Sequence, residues 1–254
     1  MKIISWNVNG LRAVGKKGFW EWLKKSGPDV VCLQETKIGE NQLDFDLLYL
    51  KNYFAYFNSA KRKGMWGTAV FSKKKPLGVE TKIGLERFDN EGRSLRLDFA
   101  EFSLLNLYLP HGGRQKENLG YKLEVYEYLI GYLKEFLEQQ KKLVLAGDFN
   151  IAHKEIDLAR PKENQNNIMF TPEERNQVDC LLALGFIDTF RKFHKEGGHY
   201  SWWPYSFEAR KRNLGWRIDY IFVSQVLAPK LKNAFILSQV AGSDHCPVGA
   251  EIAS

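Results

Sequence analysis

Apolar residues along this chain gather in short runs that stop abruptly on polar groups. "KIISW" (residues 2–6) reads as a buried strand and "DVVCLQE" (29–35) as a second, ending on a carboxylate. Between them, "FWEWLKKSGPD" is a short amphipathic helix stopped by Gly27-Pro28. "GTAVFSKKKPLGVE" and "RSLRLDFAEFSLLNLYLP" predict further strands joined by turn residues. "GYKLEVYEYLIGYLKEFLEQQKK" sets Leu123, Tyr126, Ile130, Leu133 and Leu137 three and four apart, on one helix face, and leads into the apolar strand "LVLAGDFN". "TPEERNQVDCLLALG" opens a helix with Thr171 as N-cap, Pro172 in the first turn and Glu174 placed for a capping box. Strands return in "WRIDYIFVS", "AFILSQV" and "PVGAEIA".

No linker or low-complexity tract divides the pattern, so one domain spanning 1–254 is expected. Paired β runs mixed with strand–helix–strand units predict an α/β fold: two packed sheets with helices outside. "SWNVNG" and "AGDFNI" both close a buried strand with alternating polar residues, an echo that hints at a duplicated half.

Composition narrows the partners. Lys and Arg number 37 against 30 acids, a net charge of +7, with a pI near 9.1. That surplus suits polyanions, although a merely soluble basic enzyme would carry it as well. Cys32, Cys180 and Cys246 are odd in number and lack C-x-x-C spacing, against a disulfide framework or a zinc ribbon. Cys32 and Cys180 read as small hydrophobes. No apolar stretch approaches the roughly 20 residues that cross a bilayer. A reduced, intracellular (cytoplasmic) protein with no membrane partner is expected, nucleoid-associated if prokaryotic.

The candidate chemistry lies where the apolar runs end. Asn7 and Asn9 follow "KIIS", Glu35 follows "VVCLQ", Asp148 and Asn150 follow "LVLAG", Asp219 interrupts "WRIDYIFV", and Asp244-His245 follow "QVAGS". Carboxylates in apolar surroundings are costly unless paired, hydrogen-bonded or bound to a cation, and open sheets place sites beyond strand ends. Glu and Asp are hard oxygen ligands suited to Mg²⁺, whereas zinc would want clustered His or Cys. Metal, carboxylates and one His on a basic surface read as phosphodiester hydrolysis. "GSDHCP" (242–247) leaves open a thiol–His dyad, a metal site or a polar strand end; neighbours on an extended chain point to opposite faces, so any working partner of His245 comes from elsewhere. By themselves Tyr108 could be a plain strand aromatic and Asp219 a structural acceptor.

"ISWNVNGLRA", "PDVVCLQETK", "NLYLP", "LAGDFNIAHKEIDL", "FTPEER", "GWRIDY" and "GSDHCP", in this order from residue 4 to about residue 250, resemble the exonuclease III-type apurinic/apyrimidinic endonucleases. These belong to the endonuclease/exonuclease/phosphatase superfamily, which also holds the DNase I-like enzymes. The resemblance implies a four-layered α/β sandwich of two mixed sheets flanked by helices. It implies Mg²⁺-dependent hydrolysis of the DNA backbone 5′ to an abasic site in base excision repair, with Mn²⁺ as a substitute metal and 3′-to-5′ exonuclease activity. Carried over by motif, Glu35 binds the metal with Asn7 beside it and Asp244 supporting; Asp148 orients or deprotonates the attacking water, steadied by Asn150. Tyr108 contacts the phosphate or the leaving oxygen, and His245, oriented by Asp219, holds a phosphoryl oxygen. Asn9 stands where some relatives carry Asp and is kept as a site-support residue. Cys246 then fills the core.

For the partner, double-stranded DNA containing abasic sites, the resemblance points to Trp202, Trp216 and Ile218 as walls of a pocket for a baseless sugar. His111 and Arg114 would grip the strand, with Asn164 and Asn167 on phosphates. "YSWWPYSFEARKRNLGWR" taken alone is equally a core segment beneath a solvated basic loop. Lys61-Arg62-Lys63 would add sequence-independent attraction, and a monomer is expected. Two alternatives are a superfamily relative acting on RNA or a phospholipid, and a non-catalytic DNA-binding module.

Overall fold

The computed structural model describes residues 1–39, 42, 52–139 and 141–253. Among the described residues, twelve strands form two six-stranded mixed sheets. The first holds β1 (Lys2–Asn7), β2 (Val30–Gln34), β3 (Phe54–Asn58), β4 (Thr68–Ser72), β11 (Leu231–Ile236) and β12 (Val248–Ile252), ordered β11-β12-β1-β2-β4-β3. The second holds β5 (Gly78–Glu80), β6 (Ser94–Asp98), β7 (Ser103–Tyr108), β8 (Leu143–Asp148), β9 (Phe186–Asp188) and β10 (Asp219–Ser224), ordered β5-β6-β7-β8-β10-β9. Each has one parallel pair at its centre, β1–β2 and β7–β8, with antiparallel strands to either side.

The layers follow from burial. Ile3, Val30, Cys32 and Val70 of the first sheet pack against Leu95, Leu97, Leu104, Val144 and Ile221 of the second, making the central core. Each such side chain contributes roughly 1.5–3 kcal/mol on burial. Outside the first sheet lie α1 (Leu11–Gly15) and α2 (Phe19–Ser26), closed over Trp6, Leu33 and Phe71. Outside the second lie α4 (Leu119–Glu138) and α5 (Pro172–Ala183), over Leu105, Leu145 and Phe222; α3 (Glu86–Asn90) and α6 (Thr189–Phe193) are single-turn elements at the margins. The result is a four-layered sandwich of the expected kind. Under the strand ends, Gln34 donates from Nε2 to Asn106 Oδ1 at 2.7 Å, and Asn106 Nδ2 donates to the Leu33 and Ala69 carbonyls, pinning one sheet to the other.

The two sheets repeat one strand order, but the sequence echo pairs strands that do not correspond in it. Matching the sheet orders aligns β1 with β7 and β2 with β8, so the unit β11-β12-β1-helix-β2-β3-β4, split between the two termini, repeats as β5-β6-β7-helix-β8-β9-β10. "SWNVNG" ends β1, whereas "AGDFNI" ends β8, the partner of β2.

Two further expectations shift. The capping box at Thr171–Glu174 forms as expected, but the buried face of α4 is Lys122, Val125, Tyr126, Leu129 and Leu133; Leu123, Ile130 and Leu137 are only half-buried. The face turns because Lys122 is fully buried, its ammonium donating to Glu174 Oε1 (2.5 Å), the Asn150 carbonyl (2.7 Å) and the His111 carbonyl (3.2 Å). A hydrophobic count cannot see a buried cation that has found its partners. Cys180 is likewise half-exposed rather than core, while Cys32 and Cys246 are fully buried.

Candidate active site

The strand ends meet at one edge of the sandwich. β8 brings Asp148 beside Tyr108 because Gly147 lets the backbones close: a Cβ there would overlap the Leu107 carbonyl oxygen. Asp219 opens β10 rather than interrupting it, directly opposite Asp148 in the antiparallel register. His245 precedes β12 and is fixed by its backbone: its carbonyl accepts from Trp6 Nε1 at 3.1 Å, and its N–H donates to Ser243 Oγ at 3.2 Å. Ser243 Oγ in turn donates to the Asn7 carbonyl at 2.9 Å.

Asp148 is 1% exposed and surrounded by donors: Asn7 Nδ2 at 2.9 Å, the Asn150 N–H at 2.9 Å and Asn150 Nδ2 at 3.2 Å. Asn150 takes a left-handed backbone (φ 52°) to make both contacts. His245 Nδ1 lies 2.9 Å from Asp219 Oδ2, and its Nε2 lies 3.9 Å from Asp148 Oδ2. Ser201 Oγ, buried, donates to Asp219 at 2.6 Å and holds that carboxylate from behind. Burial lifts the Asp148 carboxyl to about 7, against the opposing pull of His245. Burial alone would lower His245, but the Asp219 and Asp148 carboxylates outweigh it and raise the imidazole to about 10. Near neutrality this is an imidazolium facing a carboxyl group poised to gain or lose a proton.

Glu35 and Tyr108 complete the near side. Burial and then the neighbouring Glu35 carboxylate push the Tyr108 phenol well above its ordinary value. Glu35 pairs with Lys37 Nζ at 3.0 Å, and Lys37 also donates to Asn9 Oδ1 at 2.6 Å. Asn9 Nδ2 donates to Asp244 Oδ1 at 3.0 Å, and Asp244 Oδ2 accepts from Trp202 Nε1 at 3.1 Å. Asp244 therefore joins Glu35 through Asn9 and Lys37, along the rim. Glu35, Lys37 and Asn9 all have left-handed backbones (φ 55°, 54° and 48°), a concentration of strain typical of working sites. Sequence reasoning passed over Lys37, although it stands in the quoted "QETK"; it also passed over Ser201, for which the chain carries no signal.

The cysteine beside His245 takes no part. Cys246 is fully buried, burial drives its thiol far up, and it faces the Tyr200 carbonyl.

Two places could hold a cation. Ligand atoms of Asp148, Asp219 and His245 lie within 4.8 Å of one another, close enough for one metal ion. His245 Nδ1, however, is already engaged by Asp219 Oδ2 at 2.9 Å. Glu35 fits better: it is a hard oxygen donor, partly exposed, whose present counter-charge is the movable ammonium of Lys37. Asn7, whose strand pairs with Gln34 next to Glu35, offers a neutral oxygen in Oδ1, which accepts only the Asn9 N–H among the described residues.

The expected DNA-contacting residues are less uniform. Trp216 and Ile218 sit in an apolar cluster with Phe170 and Leu158, and half-buried Trp202 packs against it, 6.4 Å from the His245 ring. Ile218 is 1% exposed and lies inside the cluster. Arg114 is exposed and His111 half-buried, on a loop turned by a hydrogen bond from the Gly113 N–H to His111 Nδ1. Asn164 donates to the Ala159 and Arg160 carbonyls of its own turn, and exposed Asn167 donates to Asn164.

The family model for the endonuclease/exonuclease/phosphatase family matches residues 4–245. The chain belongs to that family. An exodeoxyribonuclease of Bacillus subtilis is 47% identical over 250 residues, covering 98% of each chain. A DNA-(apurinic or apyrimidinic site) endonuclease of Dictyostelium discoideum is 41% identical over 256 residues, 99% of this chain and 70% of the relative. An AP endonuclease structure from Archaeoglobus fulgidus superposes with a TM-score of 0.92 at 30% identity, covering both chains fully. Within the endonuclease/exonuclease/phosphatase family, then, this member stands among DNA-repair nucleases, endonucleolytic and exonucleolytic. No helix among the described residues is long and apolar enough to cross a membrane.

Proposed function

We propose that this chain is a Mg²⁺-dependent endonuclease that hydrolyses DNA 5′ to an abasic site and carries a 3′-to-5′ exonuclease activity. It acts inside the cell, as one domain and as a monomer. One observation carries the reading: a buried carboxyl near 7 faces an imidazolium held by a second carboxylate, at the edge where both sheets end.

Asp148 accepts the proton of the attacking water as its oxygen bonds to phosphorus, and Asn7 and Asn150 hold that carboxylate in line. His245, kept charged by Asp219, donates to a phosphoryl oxygen as negative charge builds there. Tyr108 faces the phosphate or the 3′ oxygen that departs. Glu35 and Asn7 would hold Mg²⁺, with Asp244 supporting through Asn9; the ion would supply Lewis-acid stabilisation of the phosphoryl group. Trp202 and the edge of Trp216 would receive the baseless sugar beside the apolar cluster that holds Ile218, and the missing base makes its extrusion from the duplex easier. Arg114, His111, Asn167 and Asn164 would lie along the backbone.

The test is incision of matched duplexes with and without a single abasic analogue, in Mg²⁺ or chelator. Cleavage 5′ to the analogue, abolished by chelator, is expected. Equal cleavage of both duplexes would overturn the abasic assignment, and undiminished cleavage in chelator the metal.

A further inference from the structure

Arg93 engages Tyr108 well beyond what strand pairing requires. The two residues face each other across the β6–β7 pair: the Tyr108 N–H donates to the Arg93 carbonyl at 2.8 Å, and Arg93 Nη1 donates back to the Tyr108 carbonyl at 3.0 Å. The guanidinium carbon also lies 4.6 Å from the centre of the Tyr108 ring, with the Trp66 ring 5.3 Å from it. The cation is therefore packed between two aromatic faces while tied to the backbone of one of them.

That placement is itself secured. Arg93 is 5% exposed, and its Nε donates to Glu91 at 2.5 Å. Glu91, also buried, further accepts from Arg87 Nε and from the Tyr121 hydroxyl, each at 3.1 Å. A buried ion pair is weak evidence of stability in itself; here it fixes where the guanidinium lies against the Tyr108 ring. The outcome here is geometric: the Tyr108 ring has the guanidinium on one face and its residue is tied to Arg93 at both backbone groups, which restricts how the ring can turn.

We infer that Arg93, anchored by Glu91, is a positioning residue that holds the Tyr108 phenol in its working orientation. This rests on the reading of Tyr108 as a site residue. Lysine in place of Arg93 keeps the charge but loses the planar fork, and with it the simultaneous grip on carbonyl, carboxylate and ring. The ring then gains freedom, and misplacement by about 1 Å can cost up to ~10²-fold in rate.

The experiment is a double-mutant cycle on the full chain, with kcat and KM measured on an abasic duplex for R93K, Y108F and the double variant, and E91Q as a second route to the same disturbance. R93K is expected to lower kcat on the order of tenfold with KM little changed, E91Q to do the same more weakly, and R93K to add less than about twofold once Tyr108 is Phe. Thermal melting checks that each variant folds, and if R93K does not, E91Q in the Y108F background decides. Should Y108F lower kcat and R93K or E91Q add its full loss on top, or act on KM alone, the role of Arg93 falls while that of Tyr108 stands. Should Y108F keep full kcat, the reading of Tyr108 falls and the inference falls with it.

Discussion

In the first sheet the central parallel pair ends on Asn7 and Gln34, with Glu35 just beyond; in the second it ends on Tyr108 and Asp148. The two units share one strand order, yet their carboxylates live in different surroundings. Glu35 sits on the rim, partly exposed, and faces a lysine ammonium that a stronger cation can displace. Asp148 is buried, bonded by amide donors and close to a second carboxylate and the His245 ring. The repeated strand order gives two like ends, and burial separates them: on the proposed reading the exposed end holds the cation and the buried end takes the proton.

Removing the buried end should have the larger effect. Asp148→Asn is expected to lower incision by about 10³-fold, and His245→Ala by about 10²–10³-fold, both with DNA binding retained in gel-shift measurements. In the unaltered protein kcat/KM should rise with pH through about 7 as Asp148 loses its proton, and fall toward about 10 as His245 loses its own. The acidic limb should vanish in Asp148→Asn. Activity within threefold of the parent in either variant would remove the role assigned to that residue.

The rim end should fail in a different way. Glu35→Gln is expected to raise the Mg²⁺ concentration for half-maximal rate by about 10–100-fold, the usual cost of disturbing a metal's ligand set, with much of the activity returning at high Mg²⁺. A loss that added metal does not relieve would show that Glu35 does more than hold a cation, and the contrast between the two ends would close.

A third prediction concerns stability. The Asp148 carboxyl is raised from 3.8 to about 7, so the folded state disfavours its ionised form. That penalty is absent below pH 4, grows between about 4 and 7, and is complete above. Each unit is worth about 1.4 kcal/mol, and if a third of the shift is realised, Asp148→Asn should melt about 3 °C higher at pH 8 and no higher at pH 4. An equal gain at both pH values would mean that the amide merely packs better.

The sequence made the gathering of Asn7, Asp148, Asp219 and His245 readable because each polar group lies at the end of an apolar run, and a strand ends where its run ends. It could not show what depends on contacts across the fold. Gln34 and Asn106 join the sheets through amides buried inside strands, where neither spacing nor charge marks them. Lys122 looks like a surface residue of an amphipathic helix until Glu174 and two loop carbonyls surround it. Lys37 and Asn9 reach Glu35 and Asp244 through left-handed backbone, which no propensity announces. The echo of "SWNVNG" in "AGDFNI" misled because it compares polar punctuation, whereas the repeat lies in strand order.

The connections before β4 and before β10 occupy matching places in the two units and allow the finest test. The first carries Lys61-Arg62-Lys63, all exposed; the second carries Trp202 and Trp216 beside His245. Charge on an exposed turn attracts phosphates whatever the sequence or lesion, and each phosphate left without its neutralising cation reduces the slope of log affinity against log salt by about 0.9. Replacing all three basic residues with glutamine should therefore weaken intact and abasic duplexes alike, by a few-fold at physiological salt, and flatten the slope by about 1–3. Trp202→Ala should leave the slope alone and reduce only the preference for the abasic duplex, because stacking and shape carry no counterions. An unchanged slope in the first variant would mean that those charges never meet DNA, and an unchanged preference in the second that the pocket wall lies elsewhere.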